Sequence, residues 1–332
     1  MSTLYYILSG ENEDVSESEL KTLLELYDGG HSVFCWPLIC VVRHSNESAW
    51  AKVAERASNV REVGQVYDFE PLPGWEDVNL LASKLRDLAK GFEWIHVTQL
   101  HGYLEDEELK RLEGVLEEKT GLTTRYRRGP SLRLIFSGGV VVVGRTLFRA
   151  KRRPFYTKVF DRSFAITPSL ARTLINLSAV KEGGVLLDPF AGTGTIILEA
   201  RSIGVVGIGL DIDWSIINGL ARNLRHNKNP SIPVLSDGTR ASFANIDAVV
   251  TDPPYGRGAS TRGVELRELL ENFLSRSLES VVKWGRVVFM VPAEAELEVD
   301  DIVTRVGGLI KSKHYMYVHS SLARVIYVVV PV

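Results

Sequence analysis

The residues of this 332-residue chain best suited to do chemistry are Asp252-Pro253-Pro254-Tyr255, which follow the apolar run 248–250. An amino group conjugated to a ring is a poor nucleophile, because its lone pair is delocalised. The Asp252 carboxylate and the Pro253 carbonyl can each accept one of its N–H groups, which favours a tetrahedral nitrogen in the transition state. The prolines stiffen the turn, and Tyr255 offers a ring face for a flat base. The pattern predicts alkylation of a planar amino nitrogen by these four catalytic residues.

A second motif, Asp-Pro-Phe-Ala-Gly-Thr-Gly-Thr at 188–195, lies between an apolar strand and a helical stretch. Gly192 and Gly194 allow such a turn to bring backbone amides up to a ligand. The motif lacks the third glycine of the dinucleotide fingerprint and the lysine of a phosphate-binding loop, so a diphosphate ligand is disfavoured. Asp211 and Asp237 follow the next two predicted strands, where carboxylates can accept ribose hydroxyls and an adenine amine. The motif set predicts a nucleotide-like cofactor.

The elements that position these motifs change character along the chain. Apolar runs at 33–43, 94–100 and 132–143 predict strands, which alternate with helical stretches and make residues 1–144 an α+β region. The periodicity breaks in the basic segment 145–161, which we interpret as a linker. From 162 to 332 strands alternate with helices, including a helix expected over 264–284. This alternation predicts a mostly parallel sheet that ends in an antiparallel hairpin near 315–330.

The net charge of −2 conceals a local excess of cations. Eleven lysines and arginines lie between residues 121 and 162, against the single acid Asp161. Segregated positive charge of this kind predicts a polyanionic partner, although a solvated surface is the usual alternative. The residues expected to contact this partner, which the resemblance given below implies is RNA, are Arg125, Arg127, Arg128, Arg145, Arg149, Lys151, Arg152 and Arg153.

The composition, 45% hydrophobic and 24% charged, is typical of a soluble folded protein. The first residues lack the pattern of a signal peptide, and no apolar run approaches the roughly 20 residues of a membrane helix. We therefore expect a cytoplasmic protein with no membrane partner. Cys35 and Cys40 stand in an apolar strand-like run, where free thiols packed in the core are expected and metal binding is not.

Taken in order, the motifs from about 161 to 332 resemble those of Rossmann-like class I methyltransferases that use S-adenosylmethionine. The resemblance implies that Asp188 lies beside the methionine part of this cofactor, Asp211 binds the ribose and Asp237 binds the adenine amine. It also implies that Ile212 packs on the adenine and that Thr167 belongs to a further cofactor-contacting segment. The implied cofactor-binding residues are Thr167, Asp188, Gly192, Gly194, Thr195, Asp211, Ile212, Asp237 and Gly238.

The Asp-Pro-Pro-Tyr motif resembles that of amino-methyltransferases acting on adenine, cytosine, guanine or a glutamine side chain, and it does not separate these substrates. The region before residue 144 resembles a THUMP-type RNA-binding region. With it, the whole chain resembles the archaeal tRNA guanine-10 N2-methyltransferases. This resemblance implies methylation of the exocyclic N2 amine of guanine 10 in tRNA, giving N2-methyl- and N2,N2-dimethylguanosine.

Four alternatives remain open at this stage. An rRNA guanine-N2 enzyme would carry the same motifs. A DNA adenine-N6 or cytosine-N4 enzyme normally has a sequence-reading region, for which residues 256–332 leave little room. A protein glutamine methyltransferase has Asn-Pro-Pro-Tyr behind a helical domain. A non-catalytic RNA-binding protein would not need to retain Asp188, Asp211, Asp237 and Asp252 together.

Overall fold

The structure, a computed structural model, describes residues 2–71, 75–102, 104–151, 156–161, 166–254, 266–319 and 322–332. The chain forms two compact units. The first comprises Met1–Glu17, Tyr27–Glu55 and Val60–Lys151, and the second comprises Ser18–Leu26, Arg56–Asn59 and Arg152–Val332. The change from one unit to the other at residue 151 lies inside the segment 145–161 that the sequence pattern predicts as a linker.

The first unit is built on a seven-stranded sheet. Its strands are β1 (Ser2–Leu8), β2 (Ser32–Trp36), β3 (Ile39–His44), β4 (Val60–Pro71), β5 (Trp94–Gln99), β6 (Ser131–Ser137) and β7 (Val140–Arg149), in the order β2-β3-β1-β4-β7-β6-β5. All neighbours are antiparallel except β5 and β6. The helices of this part of the chain are α1 (Glu13–Tyr27), α2 (Ala49–Arg56), α3 (Trp75–Leu88) and α4 (Asp106–Thr120). Leu85 of α3 and Leu112 and Leu116 of α4 pack with Leu134 of β6 in the core.

Two runs expected to be single strands are hairpins. The run 33–43 reverses at Leu38, whose φ is 63°, and the run 132–143 reverses at Gly138 and Gly139, with φ of 53° and 83°. These left-handed backbone conformations turn the chain back on itself. Strand β7 then continues to Arg149, which pairs with Glu62 of β4, so residues 145–149 belong to the sheet and not to a linker.

The expectation of free thiols is wrong, because Cys35 and Cys40 form a disulfide. The two residues are direct partners across the β2–β3 hairpin, with their Cα atoms 4.1 Å apart. In one continuous strand, five residues of separation would place them about 16 Å apart. The turn at Pro37-Leu38, which the apolar pattern does not reveal, brings the two sulfurs together.

The second unit contains a seven-stranded sheet in the order β10-β9-β8-β11-β12-β14-β13. Its strands are β8 (Val185–Asp188), β9 (Val206–Asp211), β10 (Ile232–Leu235), β11 (Ile246–Thr251), β12 (Val281–Pro292), β13 (Gly308–His319) and β14 (Leu322–Pro331). The helices are α5 (Pro168–Leu177), α6 (Thr195–Arg201), α7 (Trp214–His226), α8 (Leu266–Ser280) and α9 (Glu296–Arg305). Strands β8 to β12 run parallel, and β14 is antiparallel to both β12 and β13. The predicted α/β class, with its mostly parallel sheet and terminal antiparallel hairpin, is confirmed.

The helix expected over 264–284 ends earlier, at Ser280. Val281 and Val282, which are both β-branched, begin strand β12 instead, and Val281 pairs with Ile246. The core beside this strand is aromatic: Phe289 stacks on Tyr327 with ring centroids 5.2 Å apart and meets Phe273 edge-on.

Of the helices in the described ranges, none is long and apolar enough to cross a membrane. The same residues contain no group of three His, Cys, Asp or Glu that could hold a metal ion.

Candidate cofactor and methyl-transfer site

Four acids lie at one edge of the sheet of the second unit. Asp188 and Asp211 end β8 and β9, Asp252 follows β11 directly, and Asp237 comes shortly after β10. Because these strands are parallel, their carboxyl ends meet at the same edge, with Asp188 between Asp211 and Asp252. The chain order runs outward from β8 to β10 and then crosses back to β11, and α/β sheets bind ligands at such a switch point.

Asp188 is the most deeply buried of these acids, with 1% of its surface exposed. Its Oδ1 accepts hydrogen bonds from Thr251 Oγ1 at 2.6 Å and from the Phe190 backbone N–H at 3.2 Å. Burial raises the pKa of Asp188 to about 7, and the carboxylates of Asp252 and Asp211 raise it as well, while the two hydrogen bonds oppose the shift. This edge of the sheet therefore concentrates negative charge, which suits a cationic ligand.

The glycine-rich turn lies directly against β9. The Ala191 N–H donates to the Leu210 carbonyl at 2.7 Å. Gly194 has φ of 89°, and a Cβ there would come within 2.3 Å of Leu220 Cδ1. Gly192 also has positive φ, 52°, but a Cβ there would meet nothing within 4 Å. Both positions therefore favour glycine for their left-handed backbone conformation, and at position 194 a side chain would also displace the Leu220 methyl group.

The residues predicted to bind the ribose and the adenine lie on the neighbouring loops. Asp211 Oδ1 accepts from the Asp213 N–H at 2.9 Å, which orients its carboxylate, and Ile212 is half exposed. Asp237 Oδ1 accepts from the Thr239 backbone N–H at 2.9 Å and from its hydroxyl at 2.7 Å. A Cβ at Gly238 would lie 2.2 Å from the Pro189 carbonyl oxygen, so this loop touches the glycine-rich turn.

This set of groups fits S-adenosylmethionine. The carboxylates of Asp211 and Asp237 can accept hydrogen bonds from the ribose hydroxyls and the adenine amine. The exposed side chain of Ile212 can pack on the adenine ring, and the glycines of the turn allow the cofactor to approach the backbone closely. Thr167 has a different observed role: its Oγ1 accepts from the Leu170 N–H at 3.2 Å and caps α5. Its contact with the cofactor stays a prediction.

The turn predicted to be catalytic begins immediately after β11. Pro253 is buried, Pro254 is half-buried and Asp252 is one-fifth exposed. Asp252 Oδ2 lies 3.4 Å from a guanidinium nitrogen of Arg324, which reaches it from β14. Tyr255 lies outside the described residues. Sequence reasoning missed Arg324, because no local pattern marks a residue 72 positions further along the chain.

Lys158 is a second residue that sequence reasoning missed. The sequence pattern includes it only as one cation of the basic run, yet its side chain is 10% exposed. Its Nζ lies 2.7 Å from Thr195 Oγ1, 3.0 Å from Thr193 Oγ1 and 2.9 Å from Asp161 Oδ1. The glycine-rich turn is therefore in direct contact with a lysine that precedes it by more than thirty residues.

The predicted RNA-binding residues of the first unit are mostly exposed. Arg125, Arg127 and Arg128 stand on the segment between α4 and β6, around Tyr126, which is 77% exposed. Arg145, Arg149 and Lys151 are exposed at the end of β7, where Arg145 also bonds Gln65 and Arg149 bonds Glu62. Arg152 and Arg153 lie outside the described residues. Arg133, counted in the same basic run, is buried against Glu62 and adds nothing to the surface.

A parallel sheet with a glycine-rich turn, acids at successive strand ends and an Asp-Pro-Pro turn is the architecture of a Rossmann-like methyltransferase. Residues 156–326 match the family model described as RMKL-like, methyltransferase domain. The chain belongs to that family. Its membership confirms the prediction of a methyltransferase that depends on S-adenosylmethionine.

The chain is also similar to curated proteins over nearly its whole length. The tRNA (guanine(10)-N2)-dimethyltransferase of Methanothermobacter thermautotrophicus is 29% identical, over 97% of this chain and 98% of that protein. The protein of the same name from Pyrococcus abyssi is 26% identical, over 98% of this chain and 99% of its own length. A probable tRNA (guanine(10)-N2)-dimethyltransferase from Methanothermococcus thermolithotrophicus is 35% identical, over 48% of this chain and 96% of its own.

Solved structures resemble the whole fold. TrmN from Thermus thermophilus superposes with a TM-score of 0.58 and 19% identity, covering 99% of this chain and 100% of that one. A possible methylase from Clostridium difficile 630 gives a TM-score of 0.56 and 15% identity, covering 99% and 98%. These likenesses extend over both units and support the fold assignment.

Proposed function

We propose that this protein transfers methyl groups from S-adenosylmethionine to the exocyclic N2 amine of guanine 10 in tRNA, giving N2-methyl- and N2,N2-dimethylguanosine. The observation that carries the proposal is the position of Asp252-Pro253-Pro254 at the carboxyl end of β11. The neighbouring strand β8 ends at Asp188, where the glycine-rich turn begins. The similarity of the whole chain to archaeal enzymes of that name supports the choice of substrate.

The chemistry asked of the protein is to hold a weakly nucleophilic amine in the correct geometry. S-adenosylmethionine supplies an activated methyl group when it is bound. The Asp252 carboxylate and the Pro253 carbonyl accept the two amine hydrogens and direct the nitrogen lone pair away from them. The nitrogen must lose a proton after transfer, and the Asp252 carboxylate can accept it, directly or through water. Arg324, whose guanidinium lies 3.4 Å from Asp252 Oδ2, orients the carboxylate for both tasks.

The cofactor is held by the residues named above: Asp188 and the turn containing Gly192, Gly194 and Thr195 contact its methionine part, and Asp211 accepts the ribose hydroxyls. Ile212 packs on the adenine, and Asp237 with Gly238 receives the adenine amine. Buried Asp188 is well suited to an ammonium group, because a cationic ligand offsets the cost of ionising a carboxyl in a site that excludes water.

The first unit acts as the RNA-binding region, of the THUMP type that its α+β pattern resembles. Its exposed arginines at 125, 127 and 128 and the basic end of β7 contact phosphates. The N2 amine of a paired guanine is not accessible to a pocket at a sheet edge, so the base must leave its stack while the RNA is held elsewhere. We place this activity in the cytoplasm.

The decisive experiment uses tRNA in which guanine 10 is replaced by inosine, whose base lacks only the exocyclic amine. After incubation with labelled cofactor, nucleosides are analysed by mass spectrometry. We expect N2-methyl- and N2,N2-dimethylguanosine in the guanine-10 tRNA and no label in its inosine-10 counterpart. Equal labelling of both tRNAs, or methylated adenine or cytosine, would contradict the proposal. Labelling of ribosomal RNA alone would favour the rRNA alternative.

A further inference from the structure

The backbone next to Lys158 is bound by a single side chain of α7. Its neighbours Val159 and Phe160 donate their backbone N–H groups to Oδ1 of Asn223, each at 2.9 Å. The same fully buried asparagine donates from Nδ2 to the Phe160 carbonyl at 2.7 Å and to the Thr193 carbonyl at 2.9 Å. One side chain of α7 therefore fixes the backbone beside Lys158 and the backbone of the glycine-rich turn together.

The ammonium group of Lys158 forms hydrogen bonds with side chains of the glycine-rich turn. All three of its donors have acceptors in the structure: the hydroxyls of Thr193 and Thr195, and the carboxylate of Asp161. Asp161 is more than half exposed, whereas Lys158 is nearly buried. A buried cation needs an anion, and an exposed carboxylate is one that an incoming ligand can displace or share.

The charges at the sheet edge indicate which ligand group this cation matches. S-adenosylmethionine carries a sulfonium, an ammonium and one carboxylate. Asp188 suits its ammonium group, but the ligand carboxylate needs a cation. Arg324 faces Asp252, and Arg240 pairs with Asp237 while 87% exposed. Among the described residues, Lys158 is the cation whose hydrogen bonds reach the glycine-rich turn.

The geometry points to Lys158 as the residue that binds the α-carboxylate of S-adenosylmethionine, taking it in place of, or together with, Asp161. This assignment rests on the proposed function, because it presumes that this cofactor occupies the turn. The assignment supplies a cation to the glycine-rich turn, which contains no lysine in its own sequence. It also gives one residue of the basic run a role other than RNA binding.

The test compares two ligands that differ in one group: S-adenosylmethionine and its decarboxylated analogue, titrated calorimetrically into the full-length protein. We expect the wild type to bind the complete cofactor at least about tenfold more tightly than the analogue, the effect of one charge-assisted hydrogen bond. Lys158→Gln keeps a hydrogen-bond donor but removes the charge, and it should bind both ligands with affinities within about threefold of each other. Lys158→Arg should restore part of the preference.

The control is Lys181→Met, which removes an exposed lysine elsewhere in the same unit and should discriminate as the wild type does. If Lys158→Gln retains the full preference, or weakens both ligands equally, the assignment is overturned and the lysine only supports the turn. Those results leave the proposed function intact. A wild-type protein that binds neither ligand would overturn the proposed function and the assignment together.

Discussion

Thr251 donates a 2.6 Å hydrogen bond from Oγ1 to Oδ1 of Asp188 and so joins the ends of the adjacent strands β11 and β8. Both residues are buried, and Thr251 immediately precedes Asp252. The first acid of the glycine-rich motif and the start of the Asp-Pro-Pro turn are therefore connected by one short contact. A change at either residue will be felt at the other.

The first prediction concerns pH. Burial raises the pKa of Asp188 from 3.8 to about 7 in the folded protein, so the folded state holds this proton more tightly than the unfolded state. The resulting stability is full below about pH 4 and is lost as pH rises towards 7. In urea unfolding between pH 5 and 8, the wild type should lose stability relative to Asp188→Asn up to about pH 7, with no further relative loss above it.

Thr251→Val provides the matched variant for this prediction. The threonine hydroxyl favours the ionised form of Asp188, so its removal should raise the pKa of Asp188 further and extend the loss of stability to higher pH. Parallel stability profiles for the wild type and Asp188→Asn would show that Asp188 does not titrate in this range.

The second prediction concerns methyl transfer. Asp252→Ala should lower the single-turnover rate by roughly 10²–10⁴, the range for general bases and positioned hydrogen-bond acceptors. Arg324→Gln should cost less, about tenfold, because it removes the partner that orients Asp252 and not the acceptor itself. Calorimetric affinity for the cofactor should change little in either variant. Near wild-type transfer by Asp252→Ala would exclude the assigned role.

The third prediction concerns RNA. Replacing Arg125, Arg127 and Arg128 with glutamine should weaken tRNA binding and reduce the slope of log affinity against log salt by roughly two units, at 0.7–0.9 per lost phosphate contact. Arg276→Gln removes an exposed arginine from α8 of the second unit and should leave the slope unchanged. An unaltered slope in the triple variant would mean that this loop faces solvent in the complex.

The fourth prediction concerns stability of the second unit. Arg172 and Glu199 are 1% and 0% exposed, and two guanidinium nitrogens of Arg172 reach Glu199 Oε2 at 2.7 and 2.9 Å. Arg172→Met leaves a buried carboxylate without its cation and should cost about 3–5 kcal/mol in urea unfolding. Arg276→Met breaks a half-exposed ion pair with Glu279 and should cost less than about 1 kcal/mol. Similar losses in both would contradict this ranking.

The sequence alone determined the fold class and the acids of the site. Asp188, Asp211, Asp237 and Asp252 each follow a short apolar run, and in a parallel sheet the carboxyl ends of neighbouring strands share an edge. Four positions between residues 188 and 252 are therefore assigned to one end of the sheet by the sequence pattern. The sequence also predicts the Gly-x-Gly turn, because its residues are close together along the chain.

The tertiary structure decided what depends on contacts between distant segments. Reversals at Leu38 and at Gly138 turned two expected strands into hairpins and brought Cys35 to Cys40. Arg133 entered the core to meet Glu62, although its neighbours in the basic run are exposed. Lys158 met the glycine-rich turn and Arg324 met Asp252 across long stretches of chain. The periodicity of a sequence indicates which face of a helix or strand a side chain occupies. The partner of that side chain depends on how the helices and strands pack together. Only this packing brings Lys158 to the glycine-rich turn and Arg324 to Asp252.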